Sequence, residues 1–148
     1  MKSPPPPPAS PITAVIFALV SLMCLVLVAP AVKADETDDA IQDIILSQIE
    51  AFANEDKEAA WGFASEGIKQ QSGSMETFYN MVRLSYAPVY QASSIEFVER
   101  VPHSGFQIQV VRLRGPDGKR WRAIYRMVMN GDQWRIGGVA LKKAPLTI

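Results

Sequence analysis

The hydrophobic periodicity of the chain changes at Ser93, and this change constrains the fold more than any other feature of the sequence. Before Ser93, apolar residues recur at helical spacing, and one stripe consists of Ile41, Ile44, Ile45, Ile49 and Phe52. After Ser93, apolar and polar residues alternate with the period of a strand. A helical half followed by a strand half predicts an α+β fold.

Three helices and one further turn are predicted in the first half. The first helix covers residues 37–53, with Thr37 as its N-cap and acidic residues crowded near its start. The second covers residues 57–64 behind Asp56, and another turn lies around Ile68. The third covers residues 75–86, begins after Ser74 and is stopped by Pro88.

Four strands are predicted in the second half, at residues 93–101, 106–114, 119–129 and 133–142. Short turns separate them, and the last turn, Asn130-Gly131, is a strong hairpin signal. We therefore predict N-terminal helices packed on a curved four-stranded antiparallel sheet.

The two faces of the predicted sheet differ in composition. We expect the face rich in aromatic residues to pack on the helices. In strict alternation, the other face combines bases with apolar residues, namely Val98, Val111, Leu113, Ile124, Val128, Val139 and Leu141. Such a face is too apolar to be fully solvated, so we expect either a homodimer through the sheet face or another element that covers it.

The first 34 residues have the composition of a leader. Lys2 precedes an apolar run at residues 12–28, and Val32 and Ala34 are small residues in the −3 and −1 positions of a cleavage site. This pattern predicts a signal peptide over residues 1–34 and a single mature domain over residues 35–148, periplasmic or secreted. The run also reaches the lower limit for spanning a bilayer, about 17 residues, so an uncleaved anchor in the inner membrane stays open as the alternative.

The net charge of zero hides two oppositely charged halves. Residues 35–99 hold 13 acids and three bases, whereas residues 100–148 hold ten bases and two acids. The balance does not suit a dedicated nucleic-acid binder. The one cysteine, Cys24, lies in the apolar run, which excludes a disulfide framework and a multi-cysteine zinc site in the mature chain.

Several segments resemble a known bacterial family. The sequences Gln48-Ile49-Glu50-Ala51-Phe52, Ala59-Ala60-Trp61-Gly62-Phe63-Ala64-Ser65 and Gly131-Asp132-Gln133-Trp134-Arg135-Ile136-Gly137-Gly138-Val139 resemble domain of unknown function 4864. The chain is also similar to the nuclear transport factor 2-like superfamily. That resemblance implies a cystatin-like cone, in which a curved sheet wraps a long helix and leaves a pocket at its open end. Members include isomerases, dehydratases and binding proteins, so the fold does not settle the function.

Six aromatic residues are candidates to line such a pocket, because each offers a large apolar surface and the tyrosines and tryptophans also carry a polar group. They are Trp61, Phe78, Tyr79, Tyr86, Tyr125 and Trp134. Ordinary core packing is the competing interpretation for each of them.

No catalytic residue, metal ligand or cofactor motif can be assigned from the sequence. The one histidine, His103, lies in a predicted turn, and Glu99 is the one strand acid that shares parity with inward residues. We expect a non-catalytic binding or accessory module for a small apolar ligand or an envelope protein, without a cofactor. The alternative is a small isomerase or dehydratase that uses a pocket acid.

Overall fold

Helices precede a four-stranded sheet in the computed structural model, which describes residues 3–5 and 29–145. Contacts divide the chain into the units Met1–Lys33 and Ala34–Ile148. The predicted apolar run at residues 12–28 and Cys24 lie outside the described residues. Among the described residues, no helix is long and apolar enough to cross a membrane.

The helical part contains one long helix and four short ones in the described residues. They are α1 (Ala29–Ala53), α2 (Lys57–Gly62), α3 (Glu66–Ser72), α4 (Met75–Ser85) and α5 (Ala87–Tyr90). The predicted start at Thr37 is wrong, because α1 begins eight residues earlier and has Pro30 in its first turn, where proline is favoured. The predicted caps of α2 and α4 are confirmed, since the side chains of Asp56 and Ser74 accept hydrogen bonds from Ala59 N and Thr77 N.

The sheet is an antiparallel meander. Its strands are β1 (Ser94–His103), β2 (Phe106–Arg114), β3 (Arg120–Asn130) and β4 (Gln133–Lys143), and they lie side by side in chain order. The sheet is curled but not closed. The α+β prediction is therefore confirmed.

Two β-bulges change which side chains face the helices. In β1 the pairing passes from Phe97 opposite Val111 to Glu99 opposite Val110, which leaves Val98 as an extra residue. In β4 it passes from Ile136 opposite Met127 to Gly138 opposite Arg126, which leaves Gly137 unpaired. Each extra residue reverses the alternation along the rest of its strand.

The core lies between the apolar stripe of α1 and the inner face of the sheet. The largest fully buried side chains are Tyr125, Phe52, Ile41, Ile45, Leu113, Met127, Gln109 and Val111. Val139 and Leu141 also pack against this core. Strict alternation from Ile108 and Trp134 placed these β2 and β4 residues outside, and that assignment is wrong. In β4 the alternation reverses at the Gly137 bulge. In β2, which pairs with β3 without a register shift, the inward face is the one that carries Gln109, Val111 and Leu113.

The outer face is consequently more basic than the sequence pattern indicated. Arg112, Arg122 and Lys142 form one row across β2, β3 and β4, and Arg114 and Arg120 form the next. Glu96 and Glu99 approach two of these arginines, with N–O distances of 2.6 Å to Arg112 and 3.9 Å to Arg122. The homodimer through this face stays a prediction.

Candidate functional site

A groove of about 460 Å³ lies between α3, α4 and the edge strand β4, over the second half of α1. Its volume falls within the range of small-molecule sites, roughly 300–1,000 Å³. The lining residues are Gln48, Phe52, Ala64, Ile68, Gln71, Ser72, Thr77, Phe78, Met81, Val82, Tyr86, Val89, Ile136, Gly137, Gly138 and Val139.

Two capped helices form the first wall of the groove. The Ser65 hydroxyl accepts a hydrogen bond from Ile68 N at 3.2 Å, and Ser74 does the same for Thr77 N at 3.2 Å. Gly73 joins the two helices with a φ of 78°, a left-handed conformation that favours glycine. This turn lets α3 and α4 present Ile68 and Phe78 to the same space.

The edge of β4 forms the opposite wall. Ile136 accepts a hydrogen bond from Ser65 N and donates one to Phe63 O, each at 2.9 Å, so the α2–α3 connection is fastened to the start of this edge. Gly137 and Gly138 follow, and because neither has a side chain, the wall there is backbone. A Cβ on Gly137 would lie 3.1 Å from Val128 Cγ1, which is too close for the neighbour to stay in place.

The groove is uncharged. Tyr86 is the one titratable residue in its lining, which contains no acid, no base, no histidine and no cysteine among the described residues. The polar groups are the amides of Gln48 and Gln71 and the hydroxyls of Ser72, Thr77 and Tyr86. The site can therefore exclude water from an apolar group and offer it a few neutral hydrogen-bond partners.

Gln48 is the buried polar residue of the lining, and the sequence pattern did not lead us to predict it. It is 3% exposed, and its Nε2 donates to Ala60 O at 3.0 Å. A signal was available, because Gln48 lies in the apolar stripe, three residues after Ile45 and four before Phe52. A polar side chain at such a position is a candidate for an internal hydrogen bond or a ligand contact.

The six predicted pocket residues occupy different places. Phe78 and Tyr86 line the groove. Trp61 packs behind Phe78, with ring centroids 5.5 Å apart. Trp134 is half-buried at the start of β4 and packs against the core.

Tyr79 and Tyr125 are buried in the core. The Tyr79 hydroxyl lies 3.0 Å from that of Tyr90, and burial, followed by this hydrogen bond, raises the pKa of Tyr79 to about 12. Tyr125 is fully buried, its hydroxyl has no hydrogen-bond partner in the described part of the chain, and burial raises its pKa strongly.

The two candidate titratable residues of the strands lie outside the groove. The β1 bulge turns Glu99 to the outer face, although its parity with Phe97 had made it a candidate for the interior. His103 is exposed and stacks on Phe106, with ring centroids 4.7 Å apart. Within residues 3–5 and 29–145 no group of three or more acids, histidines or cysteines is placed to hold a metal ion.

A second cavity, of about 120 Å³, lies where Asp38 and Gln42, in the middle of α1, meet β1 and β2. The same bulge turns Arg100 inward, where it forms an ion pair with Asp38 and donates to Gln107 Oε1 at 2.6 Å. The ion pair fastens α1 to β1 ten residues before Gln48, away from the groove.

Comparison with known proteins gives one family. The model of the family described as Domain of unknown function (DUF4864) matches residues 34–147. No curated protein matches the chain.

Proposed function

Because the chain belongs to the DUF4864 family, whose description names no activity, we propose a function from its own groove: the protein is a binding module for a small, uncharged and largely apolar molecule or segment. The observation that carries this proposal is the lining, in which no described residue is an acid, a base, a histidine or a cysteine. An isomerase or dehydratase needs a general base beside the substrate. Binding requires only the apolar surface and the neutral polar groups that the groove supplies.

The expected affinity follows from apolar burial. Each buried methylene contributes about 0.8 kcal/mol, which is close to a fourfold change in Kd. A series of neutral straight-chain alcohols should therefore bind about fourfold more tightly per added carbon until the groove is full. The carboxylates of equal length should bind more weakly, because no lining residue offers a compensating positive charge.

Two residues of α4 provide a matched pair of variants. Met81 lines the groove and is 39% exposed, whereas Leu84 is 75% exposed and does not line it. Both side chains are exposed enough for a polar replacement to leave the fold intact. We expect Met81→Glu to weaken alcohol binding tenfold or more, since one charge must be desolvated, while Leu84→Glu leaves it unchanged.

Calorimetric titration of both variants measures this difference. Equal affinities in Met81→Glu and Leu84→Glu would show that the alcohols bind elsewhere, and the proposal would fail. Proton abstraction from a bound ketone by the unmodified protein would favour the isomerase alternative.

We also propose that the protein is exported and that its fold is the cone of the nuclear transport factor 2-like superfamily. Helices on a curled sheet, with a groove between the helices and one sheet edge, support the second proposal. The small residues Val32 and Ala34 behind an apolar run support the first. Mass spectrometry of the protein from its own cells tests export, since an N-terminus at Asp35 indicates cleavage and a retained Met1 indicates an anchor.

A further inference from the structure

The outer edge of β4 runs along the groove and already forms one isolated β-bridge. Ile136 exchanges two hydrogen bonds of 2.9 Å with the segment 63–65, which forms a parallel bridge to it. The edge therefore presents peptide groups that are oriented for pairing, and Ile136 uses the first of them.

The next outward peptide groups belong to Val139 and Leu141. Ala144 N donates to Arg120 O, so Ala144 faces β3, and alternation turns Val139 and Leu141 away from β3. Val139 lies three positions after Ile136, and not the usual two, because Gly137 is the extra residue of the bulge. In the described part of the chain, neither Val139 nor Leu141 makes a backbone hydrogen bond outside the sheet.

A strand paired with Val139 would lie in the groove. Paired strands are about 4.8 Å apart, and Val139 itself belongs to the lining, together with Ile68 and Met81. Every second side chain of the added strand would point toward the inner face, where the lining is apolar and uncharged. The groove thus fits an extended segment with alternating apolar residues better than a helix, which would leave the edge groups unpaired.

Charge at the end of the edge selects the partner. Lys142 and Lys143 are exposed and form no ion pair with any residue in the described ranges. A second copy of β4 paired antiparallel around Val139 would have to bring its residues 135–137 against residues 141–143, but Ile136 already uses its outward peptide groups to pair with the segment 63–65. An acidic residue at the end of the incoming strand would instead lie beside the lysines.

We propose that the occupant of the groove is an extended peptide segment of a partner protein, added as a strand to β4, with alternating apolar residues and an acidic end beside Lys143. This inference rests on the proposed function, because it identifies the apolar segment that the groove would hold. Edge-strand addition takes its affinity from main-chain hydrogen bonds and its specificity from the side chains that enter pockets.

Fluorescence anisotropy with one labelled peptide tests the inference, using acetyl-Thr-Val-Thr-Val-Thr-Glu-Glu-amide and the intact protein. Two further versions carry N-methyl groups either on both valines or on the second and third threonines. In an added strand, only the N–H groups of every second peptide residue face β4. One N-methylated version should therefore lose about tenfold or more in affinity, and the other should lose little. Equal losses in both versions would overturn strand addition.

An exchange of charges between the protein and the peptide gives an independent test. Lys143→Glu should weaken binding of the peptide severalfold, and replacing its two glutamates by lysines should restore binding to the variant. No restoration would contradict the assigned end of the strand. Protection of the Val139 and Leu141 amides from hydrogen exchange without peptide, in a concentration-dependent dimer, would assign the edge to a second copy and overturn the proposal.

The alcohol series separates this inference from the proposed function. Alcohol binding that Met81→Glu abolishes, together with no peptide binding, would refute the peptide and leave the apolar site in place. Failure of both ligands would refute both.

Discussion

Replacement of Gly137 by alanine should destabilise the protein, because the added methyl group has no room. Its Cβ would meet Val128 Cγ1 at 3.1 Å and Arg126 O at 3.4 Å. Val128 has a β-branched side chain with few alternative rotamers, and the Arg126 carbonyl belongs to the ladder, so neither neighbour moves easily. Overpacking of this kind costs about 1–3 kcal/mol. For a folded unit of this size, that corresponds to a decrease in Tm of roughly 4–12 °C.

The neighbouring residue supplies the control. A Cβ on Gly138 would meet nothing within 4 Å, and Gly138 has no positive φ. Gly138→Ala should therefore be neutral or raise the free energy of unfolding by about 0.4–1 kcal/mol, since alanine restricts the unfolded chain. Urea unfolding followed by circular dichroism measures both variants. Equal stability of Gly137→Ala and Gly138→Ala would refute the argument that Gly137 is required by close packing at the bulge.

Two predictions concern the buried tyrosines. Tyr125→Phe should leave the free energy of unfolding unchanged or raise it by about 1 kcal/mol, because the buried Tyr125 hydroxyl has no hydrogen-bond partner among the described residues. Tyr79→Phe should lower the free energy of unfolding by about 1 kcal/mol, because the hydrogen bond to Tyr90 is lost. Thermal unfolding measures both variants, and a destabilised Tyr125→Phe would contradict this reasoning. Because the pKa of Tyr79 is raised to about 12 from its ordinary value of 10, the unfolded state releases this proton first, so its stabilising contribution is complete below pH 10 and is lost between pH 10 and 12. Urea midpoints across that range should fall less steeply in Tyr79→Phe, and identical slopes would refute the assignment.

The sequence predicted the order of helices and strands because local signals determine them. The stripe from Ile41 to Phe52 fits α1, and the caps Asp56 and Ser74 lie where the structure has them. The Asn130-Gly131 turn connects β3 and β4 as expected, with Gly131 at a φ of 65°. These features depend on neighbours within a few residues, which the sequence displays directly.

The faces of the strands could not be predicted by strict alternation. A bulge leaves no reliable mark in one sequence, and Val98 in β1 looks like any other strand residue. Gly137 was visible, but a glycine in a strand signals a bulge only once its partner strand is known. Because the extra residue in each of these strands was missed, Leu141 was assigned to the outer face and Glu99 to the inner face, and both assignments were reversed.

The groove was predicted only in part. Phe78 and Tyr86 were identified because aromatic residues suit pockets, but four other aromatic residues carried the same signal. The backbone wall at Gly137 and Gly138 has no side chain from which to predict it.

Methyl-resolved NMR during titration with hexanol tests the central claim most directly, because it locates the binding site. The resonances of Ile68, Met81 and Val139 should shift together with a single affinity, since these residues line the groove. The exposed apolar residues Val98 and Met129 lie elsewhere and should not shift. Shifts confined to Val98 and Met129, or spread equally over all five residues, would contradict the assignment of the groove as the binding site.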